Sequence, residues 1–173
     1  MTDSHDLLLE LGCEEIPATF IRPALDSIEN LFRSFCEEHR ISFSDAATCA
    51  TPRRLTLVAR SVAARQEDMV SEVKGPPAKV ALDENGNWTK AAEKFAASRG
   101  IPLKKLDVRA TEKGDYVHGR IEKKGGPSER ALRSLPRHLV ESLSFPKSMR
   151  WDVRKVRFAR PVRWILFLFG DKA

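Results

Sequence analysis

The feature that most restricts this chain is the shortness of its apolar runs. The longest in the second half, Trp164–Phe169, is six residues. A membrane-spanning helix needs about 20, so the apolar side chains must be buried in a core assembled from short elements. With 173 residues, 42% of them apolar and 31% charged, the chain has material for one sizeable domain or two small ones. That composition excludes disorder as the overall state. The N-terminus, Met1-Thr2-Asp3-Ser4-His5-Asp6, is polar and slightly acidic, and only Leu7–Leu9 follow as an apolar stretch. It lacks the basic n-region and apolar core of a secretory signal.

Periodicity divides the chain into elements. Leu7–Gly12 reads as a short buried strand. Phe20, Ile21, Ala24, Leu25, Ile28, Leu31, Phe32 and Phe35 recur at helical spacing. Pro23 is tolerable there only if regular hydrogen bonding starts near Phe20. Residues 46–50 and 54–59 read as strands around Thr51-Pro52-Arg53. Lys74-Gly75-Pro76-Pro77 predicts a rigid, non-helical connection, and Asp83-Glu84-Asn85-Gly86-Asn87 a turn. Trp88, Ala91, Ala92, Phe95 and Ala96 line a short helix ending at Gly100. Residues 106–111 and 116–122 predict a β-hairpin. After Gly125-Gly126-Pro127 comes a helical stretch that Pro136 should kink or split. Val162–Phe169 predicts a central strand, and the stop soon after it suggests a fragment of a longer protein. The expected fold is α+β, a mixed or antiparallel sheet packed with about three helices. Residues 1–173 form one region, with a division near 65–78 into two subdomains.

The three cysteines, Cys13, Cys36 and Cys49, form no C-x-x-C pair, which fits free thiols in a reducing cytosol. Cys13-Glu14-Glu15 offers a thiol beside two carboxylates, but no histidine is specified as its base, so a buried inert thiol is the favoured reading. His5-Asp6 lacks further metal ligands. Neither G-x-x-x-x-G-K nor G-x-G-x-x-G occurs, so no nucleotide-binding loop is expected. No catalytic, cofactor-binding or metal-ligating residue is assigned.

The distribution of charge is more informative than its total. The net charge is +6, and the segment from Lys147 to Arg163 carries all of it. That segment holds Lys147, Arg150, Arg154, Lys155, Arg157, Arg160 and Arg163 against the single acid Asp152. Such a concentration favours a polyanion or an acidic protein surface. Guanidinium groups fork onto phosphates, and the interleaved aromatic rings are able to stack on unpaired bases. Trp151, Phe158 and Trp164 nevertheless read first as core residues, with the arginines at the surface. Arg53 and Arg54 also qualify as phosphate contacts, although a surface turn with a salt bridge is the simpler reading.

Four segments in order resemble the N-terminal part of the beta subunit of bacterial glycyl-tRNA synthetase. They are Leu7–Ala18 (LLLELGCEEIPA), Thr51–Leu55 (TPRRL), Lys74–Pro77 (KGPP), and Phe145–Trp151 (FPKSMRW) with Arg157–Trp164 (RFARPVRW). Cys13 stands where that family usually has a Thr- or Ser-like residue. The resemblance implies a cytoplasmic assembly of two alpha and two beta chains that joins glycine to its tRNA with ATP and magnesium. It assigns amino-acid activation to the alpha subunit and tRNA binding to the beta subunit. This chain alone would be inactive, and no catalytic residue carries over. Two roles remain open for Lys147, Arg150, Arg154, Lys155, Arg157, Arg160, Arg163, Arg53 and Arg54. They contact glycine tRNA, or they dock the alpha subunit, a second beta subunit or the rest of the beta chain.

Overall fold

The computed structural model describes residues 3–83, 86–111, 114–151 and 156–173. In chain order the elements begin with β1 (Ser4–Cys13), α1 (Ala18–His39), β2 (Asp45–Thr51), β3 (Arg54–Ala63) and β4 (Met69–Pro77). Next come α2 (Ala78–Ala81), α3 (Lys90–Arg99), β5 (Leu106–Thr111) and β6 (Gly114–Lys123). The last are α4 (Ser128–Leu132), α5 (Leu135–Ser142), β7 (Met149–Arg150), β8 (Arg157–Phe158) and β9 (Val162–Phe169). The fold is α+β, and every strand pair is antiparallel. The chain forms two units, one of Met1–Glu67 with Gly125–Ala173, the other of Asp68–Lys124.

The first unit is built on a four-stranded sheet in the order β2-β3-β1-β9. Alternation along the strands sends Leu7, Leu9 and Leu11 of β1 and Leu55 and Leu57 of β3 to one face. There they join Ile28, Phe32 and Phe35 of α1 and Leu132, Leu135 and Leu139 of α4 and α5 in one core. Each fully buried leucine contributes about 1.5–3 kcal/mol relative to an exposed one. α1 starts at Ala18 and keeps Pro23 inside it, on the exposed face. α1 ends at Arg40, whose left-handed backbone sends its N–H back to the carbonyls of the last turn. The helical stretch that contains Pro136 is split as expected, with α5 starting immediately before that proline.

Three readings of the sequence change. Val162–Phe169 is a strand, but at the edge of its sheet and not at the centre. Its apolar run fits burial on both faces, yet among the described residues only β1 pairs with it. Lys74-Gly75-Pro76-Pro77 lies within strand β4. β4 is an edge strand in the order β4-β6-β5, the position where missing proline N–H groups cost no ladder bond. Trp151 and Trp164 are 39% and 43% exposed, so of the three segment aromatics only Phe158 is core. Glu84 and Asn85 of the expected turn lie outside the described residues.

The second unit packs α3 on the three-stranded sheet through Ala92, Ala96, Ile101, Leu106 and Val117. α3 ends at Gly100, which is left-handed as its place in the sequence predicts.

Two carboxylates tie the first unit together at its surface. The ammonium of Lys172 donates to Glu129 at 2.8 Å, and Arg133 donates to the other carboxylate oxygen at 2.9 Å. These bonds, Lys172 first, hold the Glu129 carboxyl below its ordinary value of 4.5. The Ser61 N–H and then the Arg60 guanidinium do the same for Asp6, below 3.8. With folded values depressed, the unfolded chain takes up protons first as pH falls. Their contribution is therefore complete above about pH 4.5 and is lost as pH falls through the lower folded values. Urea midpoints measured from pH 7 to pH 3 should drop in that window, and Glu129→Gln should flatten the drop.

Candidate nucleic-acid interface

Three of the four resemblance segments meet in space. The turn after β1 is stitched to two distant stretches by its backbone. Cys13 N–H donates to the Arg53 carbonyl at 3.0 Å, Ile16 N–H to Pro52 at 2.7 Å, and Glu14 N–H to Pro161 at 3.0 Å. Glu14 and Glu15 therefore lie among arginines that are far away in sequence. Arg53 is 3.6 Å from Glu15, and Arg163 is 3.6 Å from Glu14. Arg160 donates to the Glu15 carbonyl at 3.0 Å. Arg54 reaches Glu10 at 3.4 Å and lies over the Trp164 ring, 5.5 Å from its centroid. That indole in turn covers Gly12, where a Cβ would fall 2.0 Å from the ring. The fourth segment, Lys74–Pro77, belongs to the second unit.

Arg150 and Arg157 lie on the small hairpin of β7 and β8, in which Met149 pairs with Phe158 and Arg150 with Arg157, and Lys147 stands just before it. The Trp151 indole N–H donates to the Phe158 carbonyl at 3.0 Å, closing the hairpin on itself. Arg157 donates to the Ser148 hydroxyl at 3.1 Å and to its carbonyl at 3.2 Å, both neutral acceptors. Lys147 and Arg150 are exposed and have no acidic partner among the described residues. Arg154 and Lys155 lie outside the described residues. The nine candidate cations thus divide. Arg53, Arg54 and Arg163 face local carboxylates, whereas Lys147, Arg150, Arg157 and Arg160 meet no carboxylate among the described residues.

Beside the hairpin is a cleft of about 810 Å³ between α5 and β9. Phe158, Val140 and Ile165 contribute apolar surface to it, and Arg133, Arg137 and Arg163 line it. Arg133 and Arg137 were not singled out in the sequence. Their one-turn spacing beside Glu129 and Glu141 was the available signal.

The cysteines behave as the sequence predicts. Burial first, then the charge of Glu14, pushes the Cys13 thiol up to about 11. Burial pushes Cys36 up to about 12. Cys49 is exposed. A disulfide reagent at pH 8 should therefore modify Cys49 in the folded chain, and Cys13 and Cys36 only after denaturation. Reaction of native Cys13 as fast as Cys49 would restore the nucleophile reading. Among the described residues, no group of three His, Cys, Asp or Glu side chains gathers to hold a metal ion. Among them, too, no helix is long and apolar enough to cross a membrane.

A family model described as glycyl-tRNA synthetase beta subunit matches residues 7–173. This chain belongs to that family. The glycine–tRNA ligase beta subunit of Moorella thermoacetica is 43% identical over 169 residues, 98% of this chain and 24% of the relative. That of Desulforudis audaxviator is 44% identical over 167 residues, covering 96% and 24%. That of Myxococcus xanthus is 43% identical over 168 residues, covering 97% and 24%. The chain thus spans about a quarter of the length of these beta-subunit relatives.

Proposed function

We propose that this chain acts as the N-terminal region of a glycine–tRNA ligase beta subunit and supports tRNA binding for ATP-dependent attachment of glycine. In this reading it works in the cytoplasm with an alpha subunit and a second beta subunit. The alpha subunit uses ATP and magnesium, and this chain supplies no catalytic residue. The β7–β8 hairpin carries the reading, because Lys147 and Arg150 have no neutralising acid among the described residues and Arg157 meets only neutral acceptors. Phosphate oxygens are the partners that this unpaired cationic hairpin suits best.

The test is a titration of glycine tRNA into the assembled enzyme at several salt concentrations. Each of Lys147→Ala, Arg150→Ala and Arg157→Ala should lower the slope of log K against log salt by about 0.7–0.9. Arg53→Ala should leave it unchanged, since that guanidinium faces the Glu15 carboxylate at 3.6 Å; Arg160, which meets only the Glu15 carbonyl, belongs with the hairpin cations. Unchanged slopes for all three hairpin variants would overturn the phosphate role. Loss of the alpha subunit at unchanged tRNA affinity, seen by sedimentation, would favour the assembly role.

A further inference from the structure

Trp151 is exposed without being free to turn. It is 39% exposed, yet its indole N–H donates across the hairpin to the Phe158 carbonyl at 3.0 Å. That bond holds one edge of the ring, and the ring lines the cleft together with Phe158. The other apolar lining includes Pro136 and Val140 of α5, and Pro161. The cleft arginines already have acidic partners: Arg133 has Glu129, Arg137 has Glu141 and Arg163 has Glu14. Arg137 and Arg163 meet these carboxylates through Nε, so their Nη groups remain available as donors without adding net charge.

The cations that meet no carboxylate stand around the cleft, not inside it. Arg160, bonded only to the Glu15 carbonyl, directly precedes Pro161 of the lining. Arg150 and Arg157 are paired positions of the hairpin, on the face opposite Met149 and Phe158. The two strands are about 4.8 Å apart. A phosphate chain on the Arg150 face therefore has one narrow hairpin edge between it and the cleft.

We propose that an unpaired nucleotide of the RNA enters this cleft and stacks its base on Trp151, while the flanking phosphates lie on Arg150, Arg157 and Arg160. The inference rests on the tRNA reading of the hairpin and adds to it that the hairpin selects a single-stranded stretch. A nucleobase combines a flat π-face with acceptor atoms along its edge. The first matches the aromatic and apolar lining, and the second matches the N–H groups that the paired arginines keep. Inside a duplex both faces of a base are covered by its neighbours, so a paired base does not reach Trp151. An apolar side chain from a partner protein would fill the cleft but leave the surrounding cations without anions.

Fluorescence anisotropy of labelled RNA bound to the assembled enzyme tests it. The probes are glycine tRNA, a single-stranded RNA, and an RNA duplex with the same number of phosphates. Trp151→Leu should weaken binding of tRNA and of the single strand about tenfold. It should leave the duplex affinity and the salt slope in place, since no charge is removed. Trp151→Phe gives up the bond to the Phe158 carbonyl but keeps a ring, and should retain most of the affinity. A tryptophan that only braces the hairpin predicts the opposite, with both variants failing alike and the duplex weakened as much as the single strand. That pattern would overturn the proposal, as would unchanged single-strand binding by Trp151→Leu. So would loss of the alpha subunit from the Trp151→Leu enzyme at unchanged tRNA affinity. If the stacking role alone fails, Arg150→Ala and Arg157→Ala still lower the salt slope; if the tRNA reading of the hairpin fails, they do not.

Discussion

Phe158→Ala should lower the stability of the chain by about 3–5 kcal/mol, the usual cost of truncating a buried phenylalanine. Phe158 is 1% exposed. Its ring meets Phe145 edge-on at 4.8 Å, and Phe145 in turn approaches Phe20 of α1 at 6.4 Å. Removing it opens a cavity under the cleft and takes away the side chain that anchors β8 to the core. Because the Phe158 carbonyl also holds the Trp151 indole, the hairpin should loosen with it. Urea denaturation measures the first effect. The second should appear as weaker tRNA binding although no charge has been removed. Arg150→Ala should do the reverse, weakening binding while leaving the urea midpoint in place. Phe158→Leu keeps most of the volume and should cost about 1.5 kcal/mol or less. A Phe158→Ala chain as stable as the parent would show that the hairpin is not seated in the core as described.

Gly125→Ala should be nearly as damaging, by a different mechanism. Gly125 lies where the chain returns to the first unit, against the backbone of Gln66. A Cβ there would fall 1.7 Å from the Gln66 carbonyl oxygen and 2.5 Å from its carbon. The obstacle is main chain, already bonded, since Gln66 N–H donates to the Gly126 carbonyl at 2.9 Å. Neither partner is able to turn aside as a side chain would, so the cost should reach the upper end of overpacking, about 3 kcal/mol. Gly126→Ala is the internal control. Its Cβ would meet only the Gln66 side-chain amide oxygen at 3.3 Å, at the end of a flexible side chain. The two denaturation midpoints should therefore differ widely although the substitutions are adjacent and chemically identical. Equal midpoints would remove Gln66 as the cause.

Much of the fold follows from local pattern. α1 is legible because its apolar residues recur with the helical period, and β5–β6 because two strand patterns flank a polar turn. The excess charge of residues 147–163 is likewise visible by counting. What pattern does not carry is a strand's neighbours. The unbroken apolar run Trp164–Phe169 has the pattern of a central strand, yet β9 lies at the edge of its sheet. Pro76 and Pro77 argue against a strand until it is known that β4 lies at an edge. Trp151 and Trp164 have the composition of core residues, and their exposure results from the elements that pack beside them.

The sequence alone determined the family, the α+β class, the helical and strand periods, and the place of the surplus charge, since each rests on residue order or short-range spacing. Only the tertiary structure decided which cations meet carboxylates and which meet carbonyls. Arg160 meets the Glu15 carbonyl across 145 residues, and Arg163 meets Glu14 at a similar separation. It also decided that β9 lies at the edge of its sheet among the described residues. Charge pairing and strand pairing both depend on distance in space, which local residue order does not specify.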